Sequence, residues 1–245
     1  MCDYMRCFMT GVNLIYDAVP TQQFCLQILD SQNGKFADIY TVNPDKYKQS
    51  KAALLYTFNW NGSFFDGAYK TRWSASYMDE ATRFDNKTDK TLGHCGLWYY
   101  ALGNDITLGK LNVAFDWMYA REALDRLGVL TEFLNSGQTL TNTKYMSYVC
   151  KVNYRLTPKW NLFVKGMLED EGTYRASAGY DKGKYRTAYG YLGGVEYYPM
   201  NENLRFFMTY IGRHYDYTDI AKAHKLKDYS TNTLSVGFIY QLKMF

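Results

Sequence analysis

The chain has 245 residues, with 28 Lys+Arg against 24 Asp+Glu, a formal net charge of +4, 4 prolines and 19 glycines. That length fits one large β-domain or two small ones, and the composition excludes collagen-like and low-complexity chains. So small a positive excess, with no run of Lys or Arg, leaves no electrostatic footprint for nucleic acid. Aromatic residues are the outlier at 18%, with 25 tyrosines. A tyrosine joins a β-favouring ring to a polar tip and suits both sheets and a water–lipid boundary.

Period-two alternation of apolar residues, the mark of a strand with one apolar face, recurs about eleven times. In chain order the apolar sets are Val12/Leu14/Tyr16, Phe24/Leu26/Ile28, Leu54/Tyr56/Phe58/Trp60, Tyr69/Trp73/Tyr77 and Trp98/Tyr100/Leu102. They continue with Val113/Phe115/Trp117/Tyr119, Met146/Tyr148/Val152/Tyr154, Leu162/Val164/Leu168, Tyr189/Tyr191/Val195/Tyr197 and Leu204/Phe206/Met208/Tyr210. The last is Leu234/Val236/Phe238/Tyr240/Leu242/Met244, from which the terminal Phe245 departs by one residue, so the end is expected to bend or bulge. No segment sustains helical periodicity, which excludes a βαβ unit and a parallel sheet.

The connections separate a lipid-facing stripe from one that packs on a core. Short, turn-forming clusters of Pro, Gly and Asn sit at 19–23, 61–67, 108–111, 157–160 and 199–203. Long polar connections lie near 31–51, 79–96, 122–143, 172–185 and 218–229, alternating with the short ones. A soluble sandwich has no reason to gather its long loops at one end; an outer-membrane barrel puts short turns in the periplasm and long loops outside. The expected fold is therefore all-β: one domain over 1–245, an antiparallel up-and-down transmembrane β-barrel. A closing strand that descends to the periplasm after ten others starts the chain outside the cell. Single-chain bacterial barrels have an even strand number, so an odd number of further strands and an export signal are expected upstream, with Met1 an internal methionine or a mis-called start. The opening residues carry no basic segment followed by an apolar one. No apolar run approaches the roughly 18–20 residues of a spanning helix.

The stretches "LLYTFNWNGSFFDGAYKTRWSASYM" (54–78), "YYALGNDITLGKLNVAFDWMYAREALDR" (99–126), "KWNLFVKGM" (159–167), "KYRTAYGYLGGVEYYPMNENLRFFMTYIGRHYDY" (184–217) and "STNTLSVGFIYQLKMF" (230–245) resemble Bacteroidetes porins of the phosphate-selective porin O and P group. The resemblance covers most of the chain from about residue 9 onward. It implies a barrel of about sixteen strands, usually trimeric, in the bacterial outer membrane, passing small anions through a basic constriction. The strands that carry the family's inward-folded loop early in the sequence are expected to lie upstream, so its anion-binding residues are not transferred by position. The resemblance implies small anionic or hydrophilic solutes, outer-membrane lipid with lipopolysaccharide, and the barrel assembly machinery at the closing strand as partners. It implies no cofactor and no catalysis.

With the apolar sets toward lipid, the opposite parity lines the pore. That parity collects Lys70, Arg72, Lys151, Arg155, Lys165, Arg186, Arg205, Arg213 and Lys243, the candidate anion contacts. The acids on it are Asp17, Asp105, Asp116, Glu169 and Glu196. A basic excess in a low-dielectric channel focuses a positive field, and rings of Arg or Lys are the usual device of anion-favouring pores. The same side chains can instead pair across strands and only keep the lumen polar.

Other constellations are weaker. The five cysteines (Cys2, Cys7, Cys25, Cys95, Cys150) have neither disulfide-framework nor zinc spacing. His94 and Cys95 are adjacent potential metal ligands without partners. Glu169, Asp170 and Glu171 could hold a divalent cation shared with lipopolysaccharide. No Ser/His/Asp arrangement stands out. A non-conducting barrel that binds surfaces through its loops, as adhesins do, is the alternative to a porin. A barrel too wide for side chains to plug favours the porin.

Overall fold

The computed structural model describes residues 11–30, 54–80, 95–124, 141–176, 181–200 and 203–240. They form eleven strands: β1 (Gly11–Val19), β2 (Gln22–Asp30), β3 (Leu54–Phe64), β4 (Tyr69–Glu80), β5 (Cys95–Leu108), β6 (Leu111–Leu124), β7 (Thr141–Thr157), β8 (Trp160–Thr173), β9 (Gly183–Met200), β10 (Leu204–Tyr217) and β11 (Tyr229–Tyr240). All belong to one antiparallel sheet in sequence order, each strand beside its chain neighbour. β1 and β11 are not paired with each other, so the sheet is an open wall. Several strands exceed the roughly 9–11 residues of a tilted bilayer crossing; β9 has 18 residues and β7 has 17. The extra residues come from the long connections, whose polar ends continue the ladders above the apolar stripe.

The turns fall where Pro, Gly and Asn predict them. Two residues join β5 to β6 (Gly109, φ 58, and Lys110) and β7 to β8 (Pro158 and Lys159). Between β3 and β4 the chain reverses through consecutive positive φ values at Phe65, Asp66 and Gly67, closed by the Gly67 N–H donating to Phe64 O at 3.2 Å. One expectation needs correction. The connection after β10 contains a short helix, α1 (Asp219–Ala223), which was too brief to show a helical period. Its Ala221 is fully buried against Tyr185 and Tyr217, with Ile220, Leu226 and Tyr215 around them. The connection near 31–51, most of those near 79–96 and 122–143, and the chain end with Lys243 and Phe245 lie outside the described residues.

Paired residues of neighbouring strands share a face, so the registers carry each face across the sheet. One row reads Tyr16, Phe24, Trp60, Trp73, Leu102, Trp117, Tyr148, Leu168, Tyr189. This apolar face is open: Leu14, Tyr16, Trp73, Val164, Tyr191, Leu234, Val236 and Phe238 are all exposed. Cross-strand ring pairs knit it together, among them Tyr77 with Trp98 (4.3 Å between centroids), Trp160 with Tyr197 (4.6 Å) and Phe206 with Phe238 (6.1 Å). Such pairs contribute about 0.2–1 kcal/mol each relative to alanine. The buried side chains of the opposite face are mostly polar: Asn59, Ser147, Glu171, Arg186 and Thr209. A sandwich would bury its apolar face in a dry layer. Here apolar residues are outside and polar ones inside, the inversion of a barrel wall in lipid.

Candidate functional site: the polar face

The polar face is concave. A cleft of about 650 Å³ opens on it between β1 and β6, lined by Asp17, Gln23, Asn61, Lys70, Arg72 and Asp116 among others. The registers arrange the candidate bases in adjacent rows. The first runs Ser63, Lys70, Asp105, Ala114, Lys151, Lys165, Leu192, Ile211, Thr233. The next runs Asn61, Arg72, Gly103, Asp116, Val149, Met167, Gly190, Arg213, Thr231. Lys70, Lys151, Lys165, Arg72 and Arg213 thus occupy two consecutive levels of the wall.

The rows are not equivalent along their length. On β4 to β6 bases and acids alternate. Lys70 faces Asp105 across the strands, and the missing side chain of Gly103 leaves room for the Asp116 carboxylate, whose Oδ1 lies 2.9 Å from where a Cβ would stand. Asp105 also accepts from Asn112 Nδ2 (2.9 Å), and Asn112 Oδ1 accepts from Asn153 Nδ2 (3.1 Å), a chain of amides across three strands. Those amides carry no charge and no periodic signal, so the sequence did not single them out.

Lys151 and Lys165 differ: they are directly opposite each other. Their row continues into Ala114 on one side and Leu192 on the other. Lys165 has Phe163 and Met167 on its own face of β8, Val149 and Asn153 at the diagonals on β7, and Gly190 and Gly194 at those on β9. No acid adjoins it. Directly opposed like charges are destabilising by about the same 0.2–1 kcal/mol that opposed unlike charges contribute.

The other candidates are already engaged. Arg186 Nη2 lies 2.5 Å from Glu171 Oε2 with both side chains buried, and its guanidinium stands over the Tyr215 ring. Arg205 Nη1 meets Glu196 Oε1 at 2.9 Å, and Glu196 also accepts from Asn161 and Tyr198. Arg155, beside the β7–β8 turn, donates to Pro158 O at 2.7 Å and covers the Tyr198 ring. The acidic triplet does not converge. Alternation sends Asp170 to the outer face, where it pairs with Lys184 at 2.6 Å, while Glu169 and Glu171 point inward. No cluster of metal-ligating side chains occurs among the described residues. His94 lies outside them.

The fold recurs in outer-membrane channels. The outer-membrane channel DcaP of Acinetobacter baumannii matches over 94% of this chain and 61% of its own, at 12% identity and TM-score 0.64. A structure described as a porin matches over 94% and 60%, at 12% identity and TM-score 0.56. A loop-deletion mutant of OmpT, an outer-membrane protein of Vibrio cholerae, matches over 94% and 62%, at 12% identity and TM-score 0.52. The chain thus spans about three fifths of the length of the channels it resembles. No curated protein sequence matches it. The family model described as phosphate-selective porin O and P matches residues 1–242. This wall of eleven strands, apolar outside and polar within, belongs to the phosphate-selective porin O and P family of the bacterial outer membrane.

Proposed function

We propose that the chain forms the greater part of a diffusion channel that passes small hydrophilic solutes unchanged and prefers anions, phosphate among them. The observation that carries this reading is the Lys151–Lys165 pair, two cations opposite each other on the concave face with no acid adjoining Lys165 among the described residues. Opposed lysines are a poor choice for folding, and an anion passing between them relieves their repulsion. A lining of fixed cations replaces part of an anion's hydration, and the concave wall focuses their field. Lys70, Arg72 and Arg213, on the same two levels, extend the positive track. Arg155, Arg186 and Arg205 hold the wall through the partners described above, and Lys243, outside the described residues, joins the set by sequence alternation alone. The partners of this reading are small anions, outer-membrane lipid with its lipopolysaccharide, the barrel assembly machinery at the closing strand, and two further copies in a trimer.

The test is charge reversal at the pair. In planar bilayers, Lys151→Glu/Lys165→Glu should abolish or invert the anion preference seen under a salt gradient, with conductance kept. Unchanged selectivity in the double variant would remove the pair from the selectivity element.

A further inference from the structure

Near the outer end of β10 the apolar face changes character. The row that reads Trp117, Tyr148, Leu168 and Tyr189 on the preceding strands reaches His214 and then Ser230 on β11. Rows run obliquely because barrel strands tilt, so the last strands carry this row highest. About ten residues of β10 separate His214 from Leu204, roughly one tilted crossing of the hydrocarbon layer. His214 and Ser230 therefore stand at the outer boundary of the apolar band, the depth at which lipids carry their acyl esters.

Three side chains meet there. Ser230 Oγ lies 2.5 Å from His214 Nδ1, and Asp216 Oδ1 lies 2.7 Å from His214 Nε2. His214 and Asp216 are two apart on one strand, hence on one face, and Ser230 is the register partner of His214. With the ring proton on Nε2 and donated to Asp216, Nδ1 is left to accept from the Ser230 hydroxyl. The nitrogens are used in the reverse of the common order, but a nucleophile–base–carboxylate relay needs only that the ring bridge the two. His214 and Asp216 are nearly half exposed, so the site is open to lipid and interfacial water.

A fourth group completes the arrangement. Asn232 follows Ser230 by two residues on the same face, and its Oδ1 accepts from Tyr191 Oη at 3.5 Å. Tyr191 reaches it across Gly212, the register partner of both, where any Cβ would collide with the ring. With its oxygen taken, the Asn232 amide keeps two N–H donors on the face of β11 that carries Ser230. Such a donor is what a developing oxyanion needs.

We propose that Ser230, His214 and Asp216 form a second, outward-facing site that hydrolyses acyl ester bonds of membrane lipids at the outer interface, independent of the channel. Ser230 Oγ attacks the ester carbonyl carbon while His214 Nδ1 takes its proton, and the carbonyl oxygen becomes an oxyanion facing Asn232. On collapse the C–O bond breaks, His214 protonates the leaving alcohol, and the acyl group remains on Ser230. Water, activated by His214, attacks the acyl-enzyme; the fatty acid leaves and Ser230 regains its proton. Asp216 is a positioning residue that holds the ring with Nδ1 toward Ser230.

Besides Asp216, the groups facing His214 are Tyr189 of β9, with ring centroids 6.2 Å apart, Ser230 of β11, and Asp228 just before β11, whose carboxyl is held low chiefly by the hydrogen bond from Lys222. The experiment uses the purified protein in mixed micelles of a long-chain phosphatidylcholine and detergent, with fatty-acid release as the readout. In parallel, a serine-reactive fluorophosphonate is mapped by mass spectrometry. The expected results are release by the wild type and labelling at Ser230. Release should fall about a thousandfold or more in Ser230→Ala and His214→Ala, and about a hundredfold or more in Asn232→Ala. Asp216→Asn should lower kcat for release about tenfold or more with KM for the micellar lipid unchanged, because the ring is no longer held toward Ser230. Single-channel conductance should be unchanged in all of them, which separates this site from the lumen and shows that the variants assemble. Absence of both release and Ser230 labelling in a conducting wild type, or release that survives Ser230→Ala, would overturn the assignment.

Discussion

Replacing Val236 by Arg should destabilise the protein in lipid by about 2–4 kcal/mol, the cost of a guanidinium near the bilayer midplane on a barrel's outer face. The depth follows from the strand. Val236 is four residues above Tyr240, the last described residue of β11, and six below Ser230. At about 2.4 Å of vertical rise per tilted residue these are about 10 and 14 Å, so Val236 stands near the middle of an apolar band about 25 Å tall. Its register partner is Met208, followed by Val195 on β9, and it is 71% exposed. Among the described residues its neighbours on that face are Leu234, Phe238, Phe206, Met208 and Tyr210, none of them charged. The control is Thr233→Arg, three residues away on the polar face and exposed beside Ile211, which should stay within about 0.5 kcal/mol. Reversible guanidinium unfolding in phosphatidylcholine vesicles, followed by tryptophan fluorescence, reads both. The expected ratio of folding constants between the two variants is about 10 to 1,000. Equal effects, or a larger loss at Thr233, would refute the assignment of the faces.

Removing one member of the buried Glu171–Arg186 pair by Glu171→Ala should cost about 3–5 kcal/mol in the same unfolding assay, because it takes the paired carboxylate from a buried guanidinium. Cys150 is exposed on the outer face and Cys25 is buried on the inner one with its Sγ donating to Asn13; with the remaining cysteines replaced by serine, a lipid-soluble maleimide should label Cys150 in vesicles and a charged thiosulfonate should not. The loop carrying α1 should loosen only in acid. The hydrogen bond from Lys222, followed by that from the Tyr217 N–H, holds the Asp228 carboxyl below the usual carboxylate range. A depressed pKa stabilises fully above the unfolded value and is lost as pH falls through the folded one. Proteolytic nicking within 218–228 should therefore stay flat from about pH 5 to 8 and rise below about pH 4, whereas Asp228→Asn should show the raised nicking at neutral pH.

Strand number, order, turns and faces were legible because each rests on local pattern. A one-residue slip would turn a whole strand inside out, and the apolar stripe forbids it. Which side chains meet was less legible, because it depends on single-residue irregularities. A regular hairpin around Pro158 and Lys159, with Thr157 opposite Trp160, would set Lys151 against Gly166. The irregularity between Arg155 and Thr157 shifts the count by one and brings Lys165 there instead. The same holds for Ser230 and His214, sixteen residues apart and joined only by the β10–β11 register, so the chain reads as if it held no Ser/His/Asp arrangement. α1 has five residues, below the length at which a helical period can be read. Net charge on the polar face misled in another way. Bases outnumber acids there, yet Arg186 and Arg205 spend their charge on Glu171 and Glu196.

The most direct test of the channel reading is the zero-current potential of the protein reconstituted in a planar bilayer across a tenfold KCl gradient. A conducting channel whose potential carries the sign of chloride permeation, and falls toward zero when Lys151 and Lys165 are both reversed to glutamate, is the predicted result. A potential of cation-selective sign, or no conductance from a correctly inserted barrel, would contradict it.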